Sequence, residues 1–232
     1  MPVTSSTAPR QSLEASLAEL RRLYPPAASI TDPLALIVWE NVGYLVSDAV
    51  RQSLFDELAR RIGLDATALA TARQDVLLDI ASRGGMRPAE RTERLRRIGQ
   101  IALEAGGDLA VALRQARPRE ARKLLKRFPG VGDPGADKIL LFCGVEARPA
   151  LESNGVRVLA RLGHAGEGAS YAQAYRGATA ALLAMGPPDR ERLTEAFQVF
   201  RAHGQALCKR AAPLCAACPL DAVCAHAPAK GL

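Results

Sequence analysis

Apolar residues along this chain recur three and four positions apart, and β-branched residues never gather into alternating stretches. That pattern predicts an all-α protein. A first amphipathic helix is predicted over Gln11 to Tyr24, with Leu13, Leu17, Leu20 and Leu23 on one face and Pro25-Pro26 as its stop. Asp32-Pro33 supplies an N-cap and first-turn proline for a second helix, which carries Leu34, Leu36, Ile37 and Trp39 toward Val46. Helical spacing continues at 48–62, 66–72, 74–82, 90–105, 108–115, 119–128, 135–143, 153–162, 169–185 and 189–207. Gly84-Gly85 and Gly106-Gly107 read as helix ends. Residues 1–9 read as a disordered tail.

The 232 residues are 48% hydrophobic, enough for a real core in one large domain or two modest lobes. No apolar run approaches the roughly 18 residues that span a bilayer, so a soluble protein is expected. Net charge is +7, which favours a polyanionic partner. The charge is concentrated. Between Val111 and Phe128 lie Arg114, Arg117, Arg119, Arg122, Lys123, Lys126 and Arg127 against one acid, Glu120. A solvated helix face would account for it, until the next segment is read.

That segment is Phe128-Pro129-Gly130-Val131-Gly132-Asp133-Pro134-Gly135-Ala136-Asp137-Lys138. One helix stops at Pro129, the chain turns through two glycines, and a second helix starts, with Asp133 as its expected N-cap and Pro134 at its first position. Gly130 and Gly132 leave bare backbone whose N–H groups can hold an anionic oxygen. Such a unit is an ordinary αα-corner or, beside seven cations, a sequence-independent grip on DNA phosphate. The charge favours the grip.

Four of the five cysteines fall near the C-terminal end, Cys208, Cys215, Cys218 and Cys224, spaced C-x6-C-x2-C-x5-C. Tetrahedral zinc and an iron–sulfur cluster are both served by four cysteines. Zinc modules usually show two close C-x2-C pairs, and the single close pair here suits a bulky [4Fe–4S] cube better. Two disulfides in a secreted domain fit poorly, since no signal-peptide pattern opens the chain; the expected location is cytoplasmic. Cys143 reads as a buried small hydrophobe. His164, His203 and His226 lack metal-ligand spacing and read as surface or capping residues.

Phe-Pro-Gly-Val-Gly resembles the Leu-Pro-Gly-Val-Gly hairpin of helix-hairpin-helix DNA glycosylases of the endonuclease III type. That family also ends in C-x6-C-x2-C-x5-C, and Glu152-Ser153-Asn154-Gly155-Val156-Arg157 through Gly163 resembles its intervening segment, in which an acidic residue caps a helix. The similarity runs from about Asp32 to Cys224. It implies two lobes with a cleft: a helical barrel-like lobe over 30–132, and an iron–sulfur lobe of 10–29 plus 133–226. It implies a protein that binds duplex DNA, flips a damaged or mismatched base and removes it; a monomer is the expected state. Glu152 falls on the acidic residue that would stabilise positive charge growing on the sugar. Glu40, beside Trp39, falls on a pocket glutamate that protonates the leaving base in the mismatch adenine enzymes, and apolar surroundings would favour its protonation. Tyr44 and Leu45 fall where the family inserts wedge or pocket side chains. Gly130, Val131, Gly132, Lys126, Arg127, Lys138, Lys209 and Arg210 are the expected DNA contacts.

Two departures matter. The family usually has aspartate where Glu152 stands, and Pro134 occupies the place of the lysine with which bifunctional members cut the strand. Lys138 lies about 6 Å further along the helix, too far to be the obvious substitute. The expectation is a glycosylase with weak or no lyase activity. A lesion-binding iron–sulfur protein without catalysis and a bifunctional endonuclease III-like enzyme are the rival readings.

Overall fold

Twelve α-helices account for most of the described residues, 11–165 and 170–226, of a computed structural model. The tail expected at 1–9 lies outside them. The helices are α1 (Leu13–Leu23), α2 (Pro33–Val42), α3 (Asp48–Arg61), α4 (Ala66–Thr71), α5 (Gln74–Ser82), α6 (Pro88–Glu104), α7 (Leu109–Gln115), α8 (Pro118–Leu125), α9 (Asp133–Phe142), α10 (Ser153–Arg161), α11 (Tyr171–Leu183) and α12 (Arg190–Ala206). Among the described residues there is no strand; the one extended pairing is an isolated parallel bridge between Tyr44 and Gly85. No helix among them is long and apolar enough to cross a membrane.

Local chemistry explains the helix starts. Ser12, Asp32, Ser47, Asp65, Asp108, Glu152, Ser170 and Asp189 each accept the backbone N–H three residues on, satisfying a donor the helix cannot. Prolines fill the first turns of α2, α6, α8 and α9, where no N–H is needed.

The chain divides into two compact units. One is Ser29–Glu146; the other joins the described residues of Met1–Ala28 to those of Ala147–Leu232. In the first, α2 is buried from Pro33 to Val38 and packs against α3, α6, α7 and α9, while α6 also covers α4 and α5. A Cβ on Gly99 of α6 would lie 2.4 Å from the Ala70 amide nitrogen, so glycine sets how closely α4 and α6 approach. In the second unit α10 and α12 form the main contact, with α1 on α12 and α11 on α10. Leu20, Leu159 and Phe200 are fully enclosed there, each contributing about 1.5–3 kcal/mol by burial.

Several expected boundaries shift. The division falls after Glu146, not at Gly132, because α9 packs on α2 and α8 and so stays with the first unit. Helix α2 stops at Val42, short of Val46, because Gly43 is extended and the Tyr44 N–H donates to the Gly84 carbonyl at 2.8 Å. Helix α8 ends at Leu125, which puts Lys126 and Arg127 in the turn. Gly132, not Asp133, is the N-cap of α9. Cys143 caps the C-terminus of α9 and is only half-buried.

Candidate functional site

In the Ser29–Glu146 unit, α8 and α9 flank the Phe128–Gly132 turn. Gly130 sits at φ 75°, left-handed backbone that favours glycine, and Gly132 is open, with nothing nearer a notional Cβ than Pro134 Cδ at 3.9 Å. Among the described residues the N–H groups of Gly130 and Gly132 donate to no protein acceptor. Val131 donates back to Phe128 O at 3.1 Å, closing the turn. Beneath it, buried Asn41 donates from Nδ2 to Ile37 O at 2.9 Å and to Pro129 O at 3.2 Å, tying the turn to α2. Asn41 escaped the sequence reading; its signal is one amide in the otherwise apolar face of α2.

The basic segment is less free than its composition suggests. Lys126 pairs with Asp133 at 2.8 Å, and Arg122 reaches Asp133 at 3.4 Å and buried Asp137 at 3.2 Å. Arg127 pairs with Glu104 of α6. Acids from outside the Val111–Phe128 segment therefore neutralise cations that the sequence shows beside a single glutamate. Arg114, Arg119 and Lys123 are exposed and have no ion pair among the described residues.

Lys138 and Glu40 are brought together, which the sequence did not suggest. Lys138 Nζ pairs with Glu40 Oε1, and the ammonium lies 5.4 Å and 5.5 Å from the Trp39 and Phe142 ring centres. The apolar setting expected for Glu40 is not found: its side chain is 40% exposed and shares an ion pair.

Tyr44 and Leu45 project from the loop after α2. Leu45 is 75% exposed in left-handed backbone at φ 57°, a conformation that costs a leucine of order 1–3 kcal/mol. The bridge to Gly85 sets this loop beside the one carrying Met86, also exposed, and Arg87, also left-handed. Met86 was missed; a lone apolar residue after Gly84-Gly85 is its only sequence mark. Buried Arg91 donates from Nη2 to the carbonyls of Ala81 (2.5 Å) and Gly85 (2.9 Å), holding that second loop from below.

In the other unit, Glu152 is the N-cap of α10. Its Oε1 accepts the Gly155 N–H at 3.0 Å and its Oε2 accepts Asn154 Nδ2 at 2.7 Å, so two donors hold the carboxyl group in one orientation. Arg157, one turn on, donates to the carbonyls of Cys208 (2.9 Å) and Gly204 (2.8 Å) and to Asn154 Oδ1 (2.7 Å). Lys209 and Arg210 are exposed beside it, around a shallow depression shared with Ser153 and Asn154.

Cys208, Cys215, Cys218 and Cys224 line a single small cavity, together with Val158, Leu162 and Leu207. None is in a disulfide. Arg161 Nη1 lies 3.3 Å from Cys208 Sγ and also donates to Lys209 O at 2.8 Å; its Nη2 donates to Arg210 O at 3.1 Å. Burial pushes the Cys218 thiol up, and the other three cysteines push it further. Among the described residues no set of three or more His, Cys, Asp or Glu converges as a metal-ion site. His203, expected as a surface or capping residue, is 2% exposed on this cavity's wall, and burial lowers its imidazole to about 4.

No family model matches the chain. The structure aligns with a trapped endonuclease III–DNA covalent intermediate at TM-score 0.73 and 18% identity, covering 94% of this chain and 96% of that one. The chain has the endonuclease III fold. A non-covalent endonuclease III–DNA complex (TM-score 0.72, 19% identity, 94% and 96% covered) and a thermostable thymine-DNA glycosylase (0.71, 15%, 92% and 95%) share it. In sequence, the chain is 24% identical over 225 residues to a thymine-DNA glycosylase of Aeropyrum pernix, covering 93% of this chain and 94% of that protein.

Proposed function

We propose that this protein is a DNA N-glycosylase of base-excision repair that removes a damaged or mispaired base by hydrolysis. The observation that carries the reading is full-length similarity to a thymine-DNA glycosylase on the endonuclease III fold, with a carboxylate held by two donors at the start of α10. The α8–α9 turn would grip the phosphate backbone through the N–H groups of Gly130 and Gly132, with Arg114, Arg119 and Lys123 adding counter-charge. Tyr44, Leu45 and Met86 would enter the base stack as the target nucleotide turns out. Glu152 would stabilise the cationic sugar as the base leaves and orient the attacking water, which it can do only from a fixed position.

Strand cleavage through a Schiff base is not part of the reading. Pro134 brings no amine, and Lys138 is turned to Glu40. Cys208, Cys215, Cys218 and Cys224 would hold a [4Fe–4S] cluster, their four unbridged sulfurs on one cavity being a donor set that fits it. When bound, the cluster supplies a covalent cross-link of the loop after α12.

A panel of duplex oligonucleotides, led by thymine mispaired with guanine and followed by oxidised and deaminated bases, tests the reading. Wild type releases at least one base, and Glu152→Gln loses about 100-fold or more of that rate while keeping duplex affinity. Binding by both proteins with turnover by neither makes this a lesion-binding protein instead.

A further inference from the structure

His203 sits in the last turn of α12, walled from solvent, with its ring in edge-on contact with Tyr24 (centroids 5.8 Å apart, planes at 60°). Its Nε2 lies 3.6 Å from Cys218 Sγ, and its Nδ1 is buried without a hydrogen-bond partner. The imidazole carries an N–H on at least one of its two ring nitrogens. The two tautomers differ sharply. A proton on Nδ1 would leave a buried donor unmet and aim the Nε2 lone pair at a sulfur rich in lone pairs. A proton on Nε2 turns the same contact into an N–H···S hydrogen bond, and leaves only an acceptor unmet.

We propose that His203 is the buried hydrogen-bond donor to the Cys218 thiolate, and that it fixes that ligand and raises the reduction potential of the cluster the four cysteines hold. The inference rests on the cluster reading given above. A donor to a ligating sulfur withdraws charge from it, favouring the more reduced cluster and slowing sulfur dissociation. Arg161 offers the parallel contact to Cys208 from α10, so two of the four sulfurs receive donors from the packed helices. Tyr24, the C-cap residue of α1, holds the imidazole plane, which gives the first helix a part in the site.

The test uses whole protein purified with its iron. His203→Phe keeps ring volume and removes the donor; His203→Gln restores an N–H. Loss of absorbance near 400 nm under air with a ferrous chelator is expected to be about tenfold faster in His203→Phe than in wild type, with His203→Gln between them. The potential of His203→Phe moves negative. For a readout that needs no variant, wild type labelled with ¹⁵N-histidine should show hyperfine coupling from one histidine nitrogen to the cluster in a paramagnetic state. Wild-type iron loss and potential in a folded His203→Phe, or no such coupling, overturns the proposal while the cluster reading stands. A colourless, iron-free wild type overturns both.

Discussion

Lys138 of α9 and Glu40 of α2 form an ion pair seated against Trp39, which Arg51 covers 4.7 Å from the ring centre. The lysine is drawn inward, its side chain 13% exposed, and spends its charge on a partner and two aromatic rings. Lys138→Ala should therefore cost about 1–2 kcal/mol in urea unfolding, from the pair and the ring contacts together. Borohydride with substrate DNA should trap no adduct in wild type. An efficient adduct that vanishes in Lys138→Ala would show that the amine reaches the sugar after all.

Glu57 gives the fold a definite acid limit. Arg61 donates to it at 2.7 Å and Arg83 at 2.6 and 2.9 Å, and these guanidinium bonds lower its carboxyl from about 4.5 to about 2. A lowered folded-state pKa stabilises the fold above the unfolded value, and that stability is lost as pH falls from about 4.5 through about 2. Glu57→Gln should melt about 2–4 °C below wild type at pH 6. The gap should close as pH approaches 2; melting curves whose gap is independent of pH in this range would remove Glu57 as the cause.

Much of this was legible in the chain because helices are written locally. Cap residues and the 3.6-residue period located every helix in the described residues to within a few positions. The hairpin and the cysteine spacing were also visible, since each is a short contiguous pattern. What could not be read came from pairs distant in sequence. Glu40 meets Lys138, Glu104 meets Arg127 and Asn41 meets Pro129 only after the helices pack. The burial of His203 is of the same kind: one turn from the cysteine loop its position looks peripheral, yet α1 and the loop close over it.

Gly99 separates intrinsic helix preference from packing. In an exposed helix, glycine to alanine gains up to about 1 kcal/mol. Here the added methyl would lie 2.4 Å from Ala70 N, 2.7 Å from Leu69 Cβ and 2.8 Å from Ala66 O, so α4 must move off α6. Gly99→Ala should destabilise by about 1–3 kcal/mol, read as a lower urea midpoint with unchanged slope. A gain in stability would mean that the two helices separate freely.

Asp133 should act as a brake on DNA affinity. It stands in the first turn of α9, 2.8 Å from Lys126 and 3.4 Å from Arg122, and so competes with phosphate for the cations nearest the glycine turn. Asp133→Asn frees Lys126, while Arg122 keeps its pair with Asp137, at a helix-dipole cost of only about 0.3–1 kcal/mol. Duplex affinity at low salt should rise, and the plot of log affinity against log salt should steepen by up to about 0.9 for each phosphate newly neutralised. Lys123→Ala removes an exposed cation without such a pair and should make the slope shallower by about the same amount. Fluorescence anisotropy with an undamaged duplex over a salt series measures both. A flat response in the two variants would place the backbone grip elsewhere on the protein, because no change confined to Asp133 can hide the loss of Lys123.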